Sequence, residues 1–226
     1  MNKNIFLRAM KLYLKAAANP FIIGFTILFS GAMLALLIIS PEPVGSKDHS
    51  SMLGAIQMGK IGFFLMAMIG NLKIYQNKFY TSCSCGKALY TAAPIVTGLA
   101  MTLIYDIVFA AVAAVNLGVT GLSYVLIIDS VGSSLLIFSA AFYGKKKLTW
   151  CFAIPYFVFL FIPKVIQKSG IIDGISELSL GASAVITVGV YAVSVGISLV
   201  VVNAWWKKSD RFTMPNRFAA NAIGGQ

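Results

Sequence analysis

From residue 21 to residue 40 the chain runs for twenty positions without one ionisable side chain. That is the length an α-helix needs to cross a hydrocarbon core about 30 Å thick. Five further apolar runs follow, at about 52–70, 90–115, 123–143, 148–166 and 179–205. Inside a bilayer every backbone N–H and C=O must be satisfied within the protein, so runs of this length predict helices. The composition agrees: 58% of the residues are hydrophobic and 11% charged, against about 25% charged in a soluble domain. Six spans with short connections use most of the 226 residues. The expectation is an all-α polytopic membrane protein with a six-helix domain at 20–206, an N-terminal segment at 1–19 and a polar tail at 207–226.

The N-terminal segment has its own pattern. Asn4, Arg8, Lys11 and Lys15 recur at helical spacing on one stripe, and Phe6, Met10, Tyr13 and Ala17 on another. A cationic face opposite an apolar one predicts an interfacial helix over 3–18, resting at the lipid headgroups. Pro20 marks its break from the first span. The first apolar run is too long for a signal peptide and no A-x-A site follows it, so it reads as a retained anchor.

Orientation follows from the basic residues. The segments at 1–19, 71–89, 144–147 and 207–226 hold fourteen of the eighteen Lys and Arg residues. The alternate loops hold Lys47, Lys164 and Lys168, together with Glu42, Asp48, Asp173 and Glu177. Basic loops remain in the cytoplasm, so both termini are expected there, in a multi-pass protein of the plasma membrane. The net charge of +11 is then topological. No interleaved basic–aromatic stripe follows a phosphate backbone, so nucleic acid is not expected as a partner.

Motifs for chemistry are absent. The chain has no G-x-x-x-x-G-K-[ST] loop, no H-E-x-x-H helix and no G-x-S-x-G elbow. Cys83 and Cys85 form a C-x-C pair, but the single histidine, His49, is assigned to the opposite side of the membrane, so no metal site is expected. An enzyme is not expected.

Lys60, Asp106 and Asp129 fall inside apolar runs, away from their ends. Lys60 and Asp106 read as mid-span residues of neighbouring helices, with Gln57 one turn before Lys60 on roughly the same face. A charge at the centre of a spanning helix costs about 2.5–3.5 kcal/mol on insertion scales and usually faces a cavity or a partner. Lys60, Gln57 and Asp106 therefore either line a pathway for a charged or amphipathic substrate or form a salt bridge that fixes the packing of two spans. Asp129 reads as lying near the outer end of the fourth span, where water reaches it. Asp106 and Asp129 are placed at different depths, so they are not expected to act as a pair. A turn at 116–122 is expected between the third and fourth spans.

The segment 71–89 is long for a connection and mixes Tyr75, Phe79 and Tyr80 with Lys73, Lys78 and Lys87. Aromatic anchors in a charged surround suit a docking surface, although the same residues would also rest on headgroups.

An amphipathic helix at 3–18, six spans, a long basic loop after the second span and a linker at 167–178 before the last follow one another in an order that resembles the permease subunit of ABC-2 type exporters. The stretch 79–87 is similar to that family's coupling segment, with Cys83-Ser-Cys-Gly86 in place of a proline-containing turn. The resemblance implies a separate ABC ATPase that docks on Tyr75, Lys78, Phe79, Tyr80 and Lys87 and on the helix carrying Arg8, Lys11 and Lys15. It implies a permease homodimer or a paired sister permease, and ATP and Mg held by the ATPase, with no cofactor in this chain. Permeases of this size resemble those that export amphipathic peptide toxins and bacteriocins, and Lys60 would help to hold such a peptide. Two other readings remain open: a substrate-binding component of a vitamin or metal uptake transporter, and a membrane immunity or interaction protein.

Overall fold

The computed structural model describes residues 3–40, 54, 57–77, 80, 83–142, 154, 175 and 178–206. Among them the chain is helical, with no strand. Helix α1 spans Lys3–Ala17, α2 Pro20–Ile39, α3 Ile61–Gln76 and the short α4 Gly86–Tyr90. A hairpin follows, of α5 at Ala92–Val119 and α6 at Gly121–Ala141, and α7 covers Leu180–Trp206. Four of these, α2, α5, α6 and α7, are long and apolar enough to cross a membrane, so the chain is a membrane protein with several spans. All but residue 154 of the expected fifth span at 148–166, the basic residues 145–147, the loop holding Lys47 and His49, most of the 167–178 linker and the tail lie outside the described residues.

Local chemistry explains where these helices begin and turn. Asn19 caps α2: its Oδ1 accepts from the backbone N–H of Phe21 and Ile22, at 3.0 and 3.4 Å. Pro20 occupies the first helical turn, where its missing N–H costs nothing. The hairpin reverses at Gly118, whose φ of 69° is open to glycine and strained for other residues. The turn is therefore tighter than the 116–122 segment expected from sequence, and both helices run closer to it.

The helices pack up and down. A Cβ on Gly98 would lie 3.7 Å from Ala140 Cβ, and Ser133 bonds Asp106, which fixes the antiparallel register of the hairpin. Thr26 packs on Gly62 and Ser30 on Gly59, so α2 and α3 are antiparallel. Asp106 meets Tyr191 and Tyr90 stacks near Trp206, so α7 runs antiparallel to α5. Helix α6 is the most enclosed span, 72% buried over its apolar window, and forms the axis of the bundle. Around it, α2, α5 and α7 turn Ile27, Leu28, Ile107, Val115, Val188 and Val200 outward. An apolar exterior of that kind suits lipid.

One end of the bundle is closed by α1. It buries Ala9, Tyr13 and Ala17 against Ile74, Cys85, Leu89, Tyr90, Ala93 and Val202. Tyr13 donates its hydroxyl to Ala67 O and Asn71 Oδ1, both at 3.1 Å. Asn71 in turn donates to Ala140 O at 2.9 Å. Burial holds the Tyr13 phenol well above its ordinary range, so it remains a hydrogen-bond donor.

Candidate functional site

The second apolar run is not one continuous helix through Lys60. Residues 57 and 58 are helical, Gly59 and Lys60 form a turn, and α3 starts at Ile61. Lys60 thus stands at a break instead of at mid-helix. An interrupted helix at membrane depth must have its freed carbonyls satisfied within the protein. Ser30 of α2 does this, donating to Gly59 O at 2.7 Å. Helix α3 then continues to Gln76, six residues into the segment that reads as a loop from sequence.

The break directs Lys60 into the bundle, where it has no exposed surface. Its Nζ lies 2.7 Å from Asp106 Oδ1 and 2.5 Å from Asp129 Oδ1. It also donates to Ser133 Oγ at 2.6 Å. Its hydrogen bonds go to Asp129 Oδ1, to Ser133 Oγ and, at 3.4 Å, to the Asp129 carbonyl, while Asp106 Oδ1 is held by charge alone. The ring of Tyr105 lies below, its centroid 5.7 Å from Nζ, within range of a cation–π contact. Ser133 donates its own hydroxyl to Asp106 Oδ2 at 2.9 Å, and Tyr191 of α7 donates to the same oxygen. Gln57 Nε2 donates to Asp129 Oδ1 at 2.5 Å. Four segments of chain meet at this one cluster: 57–60, α5, α6 and α7.

Its depth follows from helix rise. Asp106 precedes Gly118 by twelve residues and Asp129 follows it by eleven. At 1.5 Å per residue both carboxylates lie about 16–18 Å from the hairpin turn, near the middle of a ~30 Å core. This corrects the expectation for Asp129. It is 4% exposed, at the same depth as Asp106 and paired with the same lysine. The short turn at Gly118 draws it further from the surface than a loop at 116–122 would. The salt bridge foreseen between Lys60 and Asp106 is present. Lys60 is fully enclosed, so lining a substrate path would require this cluster to open.

Two residues went unforeseen because they carry no charge. Tyr191 stands among Val, Ala and Ser in an apolar run, and Ser133 is one of three serines near Asp129. The series Asp129, Ser130, Ser133, Ser134 falls at helical spacing, and all four are buried. That polar stripe was the available signal for an inward-facing side of α6.

The residues expected at the partner surface separate into two groups. Arg8, Lys11 and Lys15 on α1, with Lys73 and Lys87, are exposed. Lys15, Lys73, Asn77 and Tyr80 line one groove of about 370 Å³, floored by Leu12 and Ala16. Tyr75 instead turns inward, edge-on to Tyr90 with ring centroids 5.1 Å apart. Tyr90 donates its hydroxyl to Ile74 O at 2.9 Å. Lys78 and Phe79 lie outside the described residues. Cys83 and Cys85 bring their sulfurs to 3.3 Å, and Cys85 is 1% exposed. Both are free thiols, and among the described residues no group of His, Cys, Asp and Glu is arranged to hold a metal ion.

Compared with protein-family models, curated proteins and solved structures, the chain gives no match.

Proposed function

We propose that the chain is the membrane-spanning permease subunit of an ABC exporter, driven by ATP that a separate ATPase subunit hydrolyses. The observation that carries this reading is the joining of α1 to the segment after α3. Tyr13 bonds Ala67 and Asn71, and Ala9, Tyr13 and Ala17 share one core with Cys85, Leu89 and Tyr90. A helix that precedes the first span and the connection that follows the second thereby form a single body. That body turns a basic, aromatic-edged groove outward at the end of the bundle opposite Gly118. A protein docked there would move both parts together.

In this reading both termini are cytoplasmic, six spans complete the domain, and α1 rests at the membrane surface. The ATPase sits on Arg8, Lys11, Lys15, Tyr80 and Lys87, and on Lys78 and Phe79 beyond the described residues. Tyr75 supports that surface from beneath. Two permease copies, or one with a sister subunit, pair with two ATPases that bind ATP and Mg. The cargo is an amphipathic or hydrophobic molecule of the peptide-toxin class. Gln57, Lys60 and Asp106 join its path when the central cluster opens.

The test is affinity purification of the full chain in mild detergent from its native cell, with identification of co-purifying proteins. A stoichiometric ATPase is expected with the native chain and not with Lys15→Glu/Lys73→Glu/Lys87→Glu. Failure to recover an ATPase with the native chain, under several gentle conditions, would overturn the exporter reading in favour of a membrane interaction or immunity protein.

A further inference from the structure

The central cluster does not balance its charge. Lys60 brings one positive charge; Asp106 and Asp129 bring two negative ones. No other charge faces it among the described residues. Helix α3 adds none, α5 adds Tyr105 and α7 adds Tyr191, both neutral phenols, while α2 has no ionisable side chain. All remaining described charges, Lys3, Arg8, Lys11, Lys15, Lys73 and Lys87, are on α1 or near the end of the bundle that α1 closes. A net negative charge in a low-dielectric interior is costly, and two carboxylates on one cation cannot both remain ionised cheaply.

The hydrogen bonds distinguish the two acids. Asp106 collects two hydroxyl donors, Ser133 and Tyr191, on Oδ2, while its Oδ1 lies in ion-pair contact with Lys60 without a hydrogen bond. Asp129 collects Lys60 and Gln57 on Oδ1 alone, at 2.5 Å each. Among the described residues no hydrogen-bond donor is set against its Oδ2. Lys60, in ion-pair contact with both carboxylates and hydrogen-bonded to Asp129 and Ser133, remains the ammonium.

We propose that the Lys60–Asp106–Asp129 cluster is a proton-binding site, holding one exchangeable proton on Oδ2 of Asp129 at neutral pH. With that proton the cluster is neutral; without it one negative charge is left at the centre of the membrane. Asp106 retains 11% of its side-chain exposure, the most of the three, and gives the site its contact with the surroundings. The proposal does not depend on what the protein exports or on which partner drives it.

Infrared difference spectroscopy of the full chain in lipid nanodiscs tests this directly, because a protonated carboxyl group absorbs apart from carboxylates and amides. The expected result at pH 7 is a carboxylic-acid band equivalent to one group, which shifts on exchange into deuterated water. The band is displaced in Asp129→Glu and unmoved in Asp106→Glu; Asp129→Asn and Asp106→Asn each leave a single carboxylate against Lys60 and should both lose it. Its absence from the native chain at pH 7 would overturn the proposal without need of any variant. An unmoved band in Asp129→Glu would overturn the assignment to that residue. Should Asp129→Glu not fold, Asp106→Glu serves instead: an unmoved band supports the assignment and a displaced one refutes it.

Discussion

Gly62 of α3 lies so close to Thr26 of α2 that a Cβ on the glycine would stand 2.7 Å from the threonine Cβ and 2.8 Å from its Cα. The atoms in the way include backbone, so a rotamer change cannot clear them. This contact also sets the position of the turn at Gly59 and Lys60, two residues earlier. Gly62→Ala is expected to cost about 1–3 kcal/mol through overpacking, read as a lower melting temperature in detergent. Gly24→Ala is the control. Nothing lies within 4 Å of a Cβ there, and the change should be neutral or slightly stabilising through helix propensity.

Removing the lysine alone is expected to be worse than removing the whole ionic group. Lys60→Met leaves Asp106 and Asp129 buried without their cation. Breaking one partner of a buried pair costs about 3–5 kcal/mol. Adding Asp106→Asn and Asp129→Asn to Lys60→Met should recover part of that loss. Equilibrium unfolding of the single and triple variants makes the comparison, and a triple variant no more stable than the single one would contradict it.

Tyr13→Phe keeps the ring in its pocket and deletes the hydroxyl shared by Ala67 O and Asn71 Oδ1. A loss of about 0.5–1.5 kcal/mol is expected, the net value of a buried hydrogen bond. The effect should be local. Hydrogen exchange, followed by mass spectrometry, should rise over α1 and remain unchanged at the Gly118 turn.

The two thiols should react in order. Cys83 is half-buried, whereas Cys85 is 1% exposed. Burial, and then the hydrogen bond it shares with Cys83, hold the Cys85 thiol above its ordinary pKa. A raised pKa lowers the thiolate fraction at pH 7, so alkylation of Cys85 should begin only at more alkaline pH. At pH 7 in mild detergent, peptide mapping after maleimide treatment should find Cys83 labelled first. Equal labelling of both residues would mean that the α1–α4 body is open in solution.

The helices that the sequence announces most plainly are those whose apolar runs are uninterrupted. Residues 21–40 lack charge altogether, and α2 covers Pro20–Ile39. The cluster was legible only where charge breaks such a run, at Lys60 and Asp106. Hydropathy could not show that Gly59 and Lys60 interrupt a helix, because the carbonyl freed there is satisfied by Ser30, some thirty residues away in the chain. Nor could it set the depth of Asp129. That depends on the hairpin reversing at Gly118, one of two glycines in a stretch also containing Asn116 and Thr120. Tyr75 looked like a docking residue by composition; its position over Tyr90 is a tertiary fact.

Asn71 has both ends of its amide occupied, its oxygen by Tyr13 of α1 and its nitrogen by Ala140 of α6. No other natural side chain of that length can accept on one side and donate on the other, since aspartate has no donor when ionised and leucine has neither group. A load applied to α1 therefore has a hydrogen-bonded linkage to the axial helix, eleven residues beyond Asp129. A tug on the surface helix and a shift of charge at the core would be felt by each other through this amide.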